Sequence, residues 1–214
     1  MHRPNPGFSV RRWLSAIGVS LILSAIGARA QSAQSAQPAA DGLRERLDAA
    51  SYRAFTAVLD SARSAGLPEA PLISKAQEGL LKKASPPAIL AATRGLLLRL
   101  RQSRAALGSS ASTAELEAGA SALRAGASNG QLSALRSTRG GQGVTVPLVV
   151  LADLLARGVP PDSAARALQA MAAANATDAA FSALRLSIER DISGGVAPAT
   201  AAGLRFRAML GRQP

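Results

Sequence analysis

The feature that most constrains the fold is a helix-ending turn at Gly158-Val159-Pro160-Pro161, in the second half of the 214-residue chain. Gly158 follows an apolar helical segment, and a glycine takes the left-handed conformation that ends a helix at little cost. The prolines cannot continue that helix, but a proline fits the first turn of the next one. The sequence therefore predicts two helices joined by a tight turn, with Gly158 at positive φ.

Weaker copies of this turn recur along the chain, with Ala84, Gly126 and Gly195 at the position of Gly158. The four positions are 42, 32 and 37 residues apart. Spacings in this range are typical of paired-helix repeats, but ordinary αα-hairpins have few ways to make a short connection and produce the same pattern. Both interpretations predict an all-α protein, an irregular stack of αα-hairpins that is either helical-repeat-like or a bundle.

Helical periodicity continues through most of the chain after residue 41 and predicts eight or nine helices. Asp41 is the predicted N-cap of the first helix, and residues 86–107 form the longest. Ser112 and Glu115 have the spacing of a capping box. The apolar run at 146–151 is assigned to a helix, because a single strand would have no partner.

The N-terminus has the pattern of a secretory signal peptide. Arg11 and Arg12 precede an uncharged apolar run at 13–28, and an Ala-Arg-Ala site ends at Ala30. The run is shorter than the roughly 20 residues that a membrane-spanning helix needs. We therefore expect a signal helix that is cleaved after Ala30 and a periplasmic or secreted protein without a membrane span, with retention as an anchor as the alternative.

Composition divides the chain into five parts. Residues 1–30 form the signal peptide, and 31–40, which read QSAQSAQPAA, a low-complexity tether. A first helical half is predicted at 41–138 and a second at 146–214. Three glycines make 139–145 the predicted linker between them.

Several kinds of chemistry are excluded by residue type. The chain has no cysteine, and its one histidine, His2, lies in the signal peptide. The mature chain therefore has no thiolate or imidazole for catalysis or metal binding. The thirteen acidic residues are scattered, so we predict a non-enzymatic protein with no cofactor and no metal. A hydrolase that uses two carboxylates remains a distant alternative.

Lys75, Glu78 and Lys82 recur on one face of a predicted helix. This spacing is typical of a solvated ion pair on the outer face. A catalytic lysine–glutamate pair is the alternative, but we expect no pKa shift on an exposed face, since desolvation is missing there.

The chain is basic, with a net charge of +12. Four arginines lie in the signal peptide, which leaves the mature part at +8 and favours anionic partners. The candidate anion-binding face consists of Arg94, Arg99, Arg101 and Arg104 on the longest helix. Two alternatives to anion binding would explain these arginines. They can form a solvated face of the helix, or they can reflect the alanine- and arginine-rich composition that a GC-rich genome produces. Nucleic acid is not an expected partner, because the basic residues are not interleaved with aromatic ones.

The segment PLISKAQEGLLK at 71–82, followed by Pro86-Pro87-Ala88-Ile89, resembles a segment of exported bacterial helical proteins of uncharacterised function. The resemblance covers a minor part of the chain and implies export and a helical hairpin, but it identifies no site. Lys83-Ala84 departs from the glycine that such segments tend to carry after the second lysine.

These features together predict an exported, non-enzymatic helical protein of the bacterial envelope that serves as an interaction or structural module. Its expected partner is an envelope protein or an anionic surface. Electrostatic binding of such a surface, whether lipid or polymer, is the alternative function.

The signal peptide gives the first testable prediction. We expect N-terminal sequencing of the chain recovered from the cell envelope to begin at Gln31, because signal peptidase cleaves after the second alanine of an A-x-A site. A folded cytoplasmic pool that begins at Met1 would contradict it.

Overall fold

A computed structural model of the chain describes residues 42–210, and every regular element in that range is helical. A short helical segment at 42–44 precedes nine helices: α1 (Ala49–Ser64), α2 (Ala70–Leu81), α3 (Pro86–Leu107), α4 (Thr113–Ala125), α5 (Asn129–Arg139), α6 (Thr145–Ala156), α7 (Pro161–Ala173), α8 (Asp178–Ser193) and α9 (Pro198–Leu210). The all-α prediction is confirmed. The predicted signal peptide, the tether and the Asp41 N-cap lie outside the described residues.

The helices stack in two rows. The odd-numbered helices α1 to α9 form the first row, in which each packs against the next, and α4, α6 and α8 form the second row in the same way. Contacts of α2 with α3, α3 with α4, α6 with α7 and α8 with α9 join the two rows. This is the predicted irregular stack of αα-hairpins. None of the helices described here combines the length and the apolar character needed to cross a membrane.

One apolar cluster runs through the stack from Leu43 to Phe206. Many of its members are alanines, so neighbouring helices approach closely. The contact between α3 and α4 is the tightest example, because a Cβ at Gly119 would lie 2.2 Å from the Oγ of Ser103. Glycine at 119 therefore determines how closely these two helices pack.

The predicted linker at 139–145 contains the connection from α5 to α6. Helices on its two sides pack directly on each other, α4 against α6 and α5 against α7. Apolar side chains from both sides also belong to the same cluster. The segment therefore joins parts of the stack that share one core.

Four connections have the same hydrogen-bond geometry, and they join α2 to α3, α4 to α5, α6 to α7 and α8 to α9. In each, one residue has positive φ, and the N–H of the following residue donates to the carbonyl oxygen five residues earlier at 2.9–3.0 Å. This is the Schellman pattern of helix ends. The positive-φ residues are Lys83, Gly126, Gly158 and Gly195. The positive φ of Gly158 is thereby confirmed, while descent of the hairpins from one repeat stays a prediction.

The turn alignment needs one correction and two additions. Lys83, not Ala84, has the positive φ in the first aligned turn, so a side chain occupies a conformation that disfavours Cβ.

Two further turns have this geometry. Between α1 and α2, Gly66 has positive φ and the N–H of Leu67 donates to the oxygen of Ala62 at 2.9 Å. Between α7 and α8, Asn175 has positive φ and the N–H of Ala176 donates to the oxygen of Met171 at 3.0 Å. The second of these turns lacks glycine, but asparagine is the usual substitute at this position.

The first predicted helix does not run unbroken from residue 41. The helical segment at 42–44 ends, and Asp48 caps α1, its Oδ1 accepting hydrogen bonds from the N–H groups of Ala50 and Ser51 at 3.0 and 2.9 Å. An aspartate that binds nearby N–H groups competes with continuation of a helix. The boundaries of α3 and the Ser112–Glu115 capping box agree with the prediction, and the apolar run at 146–151 is helical.

The turn at Gly158 gives the second prediction. We expect Gly158→Ala to lower the free energy of unfolding by about 1 kcal/mol, because alanine is strained in the left-handed region. The added Cβ meets no atom closer than the 3.7 Å to the Pro198 side chain, so steric overlap contributes nothing. Chemical denaturation measures the difference.

Gly203→Ala is the matched control. Gly203 lies inside α9, and a Cβ there meets nothing within 4 Å. Alanine is favoured over glycine in a helix by about 1 kcal/mol, so the same change should stabilise the protein. A loss of stability of equal size in both variants would contradict the special role of Gly158.

Candidate functional site

A cleft of about 340 Å³ lies between α2 and α4. Its walls are Ala70, Pro71, Ser74, Lys75 and Glu78 of α2 and Glu117 of α4. Helix α3 packs against both of them, while α2 and α4 make little direct contact with each other. The cleft is therefore an opening in the stack that is bordered by charged side chains from two helices.

Glu78 is held by two lysines. The Nζ of Lys75 donates to its Oε2 at 2.7 Å, and the Nζ of Lys82 donates to its Oε1. These hydrogen bonds, that of Lys75 first, lower the pKa of Glu78 to about 2. The sequence correctly predicted an ion pair, but the expectation of an unshifted pKa was wrong, because close lysines stabilise the carboxylate without any desolvation.

Glu117 faces the same cleft without an ion-pair partner in the described part of the chain. It is exposed, and partial desolvation raises its pKa. Two carboxylates whose pKa values shift in opposite directions resemble an acid–base pair. The two lysines, however, hold Glu78 ionised with a pKa of about 2, and a carboxylate with so low a pKa is a weak general base near neutral pH. The cleft is therefore better suited to binding than to hydrolysis.

The four arginines of the predicted anion-binding face point in different directions. Arg101 and Arg104 contact the end of α1, where their Nη2 atoms donate to the carbonyl oxygens of Ser61 at 3.4 Å and of Gly66 at 3.2 Å. Arg94 is exposed. Arg99 lies near Arg124 of α4, and burial together with this second cation lowers the pKa of Arg99. The helix thus separates the set into two flanks, and anion binding by all four stays a prediction.

Arginines also tie successive connections of the stack together. The connections concerned are those that leave an odd-numbered helix: α1 to α2, α3 to α4, α5 to α6 and α7 to α8. Three arginines, one on α3 and two on α5, each donate to carbonyl oxygens at or next to two successive members of this series. Arg104 bridges Gly66 and Ser109, Arg136 bridges Leu107 and Gln142, and Arg139 bridges Gly143 and Ala176. These cations serve as caps for backbone oxygens, which reduces the number of N–H donors that they offer to a ligand.

Arg139 is the most buried of the three, with a side chain 5% exposed. Besides its carbonyl partners, it donates to the Oδ1 of Asp178 at 2.9 Å, and its guanidinium lies 5.3 Å from the ring centre of Phe181. The sequence placed it at the edge of a flexible linker and gave no sign of this role, since its partners are distant along the chain.

Glu115 is a buried junction as well as a capping residue. Its carboxylate oxygens accept hydrogen bonds from the N–H of Ser112 at 2.9 Å, from the N–H of Val144 at 3.0 Å and from both Nη atoms of Arg136 at 3.1 Å. Burial by itself raises the pKa of Glu115, but these donors outweigh it, so the pKa lies below its ordinary value. Only the contact with Ser112 was readable from the sequence.

A second cavity, of about 430 Å³, borders this junction. Its lining includes Leu107, Ser110, Gly141 and Gly143 besides Glu115 and Arg136. The two charged groups there already bind each other, so the cavity surrounds a structural contact and not a free site. No group of three or more metal-binding side chains occurs among residues 42–210.

Comparisons of this chain with protein-family models, with curated proteins and with solved structures give no match. The assignment of a function therefore depends on the geometry described above.

Glu115 gives the third prediction. We expect Glu115→Gln to lower the free energy of unfolding by about 3 kcal/mol near neutral pH, since removing one partner of a buried ion pair leaves the other charge uncompensated. A carboxylate whose pKa is lower in the folded state than in the unfolded state stabilises the protein at pH values above the unfolded-state pKa. This stabilisation is lost as the pH falls through the folded-state pKa. Because the ordinary value is 4.5, the difference between the two proteins should shrink as the pH falls below it.

Glu78→Gln is the control, because the same change removes an exposed carboxylate whose pKa is also lowered. Denaturation curves at several pH values should show a much smaller loss of stability than for Glu115→Gln. Equal losses would show that burial does not distinguish the two groups.

Proposed function

We propose that this chain is an exported, non-enzymatic interaction module of the bacterial envelope that offers the cleft between α2 and α4 to a protein partner. The observation that carries this proposal is the cleft itself, an opening with α2 on one side and α4 on the other whose charged groups are not all paired with each other. Stacked helical proteins bind their partners on extended surfaces of this kind.

The charges of the cleft favour a protein partner over a uniformly anionic surface. Lys75 and Glu78 lie on one wall, where Lys82 binds Glu78 from outside the cleft lining. Glu117 lies on the other wall. An anionic polymer would meet a carboxylate that has no ion-pair partner, whereas a folded protein can present charges of both signs. Leu81, at the end of α2, is 76% exposed and offers apolar area next to these charges.

Export is part of the proposal and is supported by the sequence of residues 1–30, with its charged start, apolar run and A-x-A site.

Electrostatic binding of an anionic envelope surface is the second candidate function. The specific observation in its favour is that Arg94, Arg99 and Arg124 form no ion pair with an acidic residue of the described range. Two of the four predicted arginines, Arg101 and Arg104, bind backbone oxygens instead, which leaves a smaller basic surface than the sequence suggests.

Site-specific photocrosslinking in the native host tests the leading proposal and is the fourth prediction. A photoreactive residue at Ser74, which is exposed in the cleft, should crosslink a discrete envelope protein, because a docked partner contacts this wall. The same residue at Ser64, exposed at the end of α1, is the matched control and should not.

Glu117→Lys should weaken the adduct at Ser74, because it reverses a charge of the opposite wall. No adduct at Ser74, or the same adducts at both serines, would contradict binding in the cleft. Adducts formed only with cytoplasmic proteins would contradict the envelope location.

A further inference from the structure

Arg99 of α3 has an unsatisfied and partly buried guanidinium. Its Nε atom is inaccessible to solvent and has no hydrogen-bond partner among the described residues. The group folds back along its own helix, so that Nη1 lies 3.5 Å from where a Cβ of Gly95 would stand. A buried donor without a partner costs free energy, and an anion that drew the guanidinium away from Gly95 would recover it.

A second guanidinium group, that of Arg124, lies near Arg99. Arg124, in the last turn of α4, is exposed. It is close enough to repel Arg99, because Ser103, one turn beyond Arg99, packs against Gly119 of α4. No carboxylate of residues 42–210 lies within ion-pair distance of either guanidinium. Two neighbouring cations on packed helices, with no anion to compensate them, are a source of instability that an anion would remove.

We propose that Arg99 and Arg124 form a binding site for a phosphate-type oxyanion between α3 and α4. A phosphate group carries enough negative charge to compensate both guanidinium groups, and its oxygens match the fork of N–H donors that an arginine offers. The site is independent of the cleft and of export, and it replaces the four-arginine face with a pair in which only Arg99 comes from the predicted set.

Arg104 of α3 also has a buried Nε without a partner, but the remaining donors of its guanidinium are bound to backbone oxygens. Arg101 and Arg104 donate to the backbone of α1 on the other flank of the helix, and Arg94 is exposed. Arg94 therefore provides a matched control, because its removal changes the net charge and the helix in the same way and leaves the pair intact.

The test measures binding of inorganic phosphate to the full chain by calorimetry, in chloride buffer of constant ionic strength. We expect saturable binding that Arg99→Gln and Arg124→Gln each weaken by about tenfold or more, the loss that goes with one charge-assisted hydrogen bond, while Arg94→Gln leaves it unchanged. Because Arg124 lies on a different helix from Arg99, its variant provides an independent test if Arg99→Gln folds poorly.

Thermal unfolding adds a second readout. Without phosphate, Arg99→Gln and Arg124→Gln should each unfold at a higher temperature than the parent chain, because the repulsion between the two cations is gone. Added phosphate should raise the unfolding temperature of the parent chain but not that of the two variants. A merely structural role for the pair would lower the unfolding temperature instead. The proposal would be overturned by such a lowering of the unfolding temperature. It would also be overturned if Arg94→Gln lost binding to the same extent, or if the parent chain bound no phosphate.

Vesicles identify the source of the phosphate group. The parent chain is mixed with phosphatidylcholine vesicles that contain phosphatidic acid. Binding that is lost in Arg99→Gln and Arg124→Gln but retained in Arg94→Gln would assign the site to a lipid headgroup. Binding of free phosphate without this vesicle binding would assign it to a soluble phosphate compound.

Discussion

The ion pair between Glu115 and Arg136 fixes the middle of the stack. It joins α4 to α5, and the same carboxylate holds the N–H of Val144 at the start of α6. Arg136 also reaches the last carbonyl oxygen of α3, that of Leu107. Four consecutive helices thus meet at one buried charge, and their relative positions depend on its being ionised.

Arginine has a structural role that alanine-rich packing makes necessary. Small side chains bring the helices close together, so successive connections also lie close to one another, and the carbonyl oxygens at the helix ends need donors. Arg104, Arg136 and Arg139 supply these donors over distances that backbone N–H groups cannot span. A basic composition in such a protein therefore reflects internal hydrogen bonding as well as surface charge.

Local features of the structure were predictable from the sequence, and distant contacts were not. Gly158, the capping box at Ser112 and the limits of α3 depend on neighbouring residues, so their patterns are visible in the chain. The buried contacts of Arg139 with Ala176 and Asp178 join residues 37 and 39 positions apart. The anion-binding face was predicted on the basis of one helix, and the neighbours of α3 decide which of its arginines remain available.

The cleft also has a consequence for how the stack comes apart. Second-row helices from α4 onward are held by a neighbour in their own row, but α1 and α2, at the start of the described stack, are each attached mainly through α3. In a linear array stability is a sum of nearest-neighbour terms, and the unit with the fewest neighbours opens first. Helices α1 and α2 should therefore exchange their amide protons sooner than the central helices, so the surface proposed for binding includes a helix of the described chain that can shift readily.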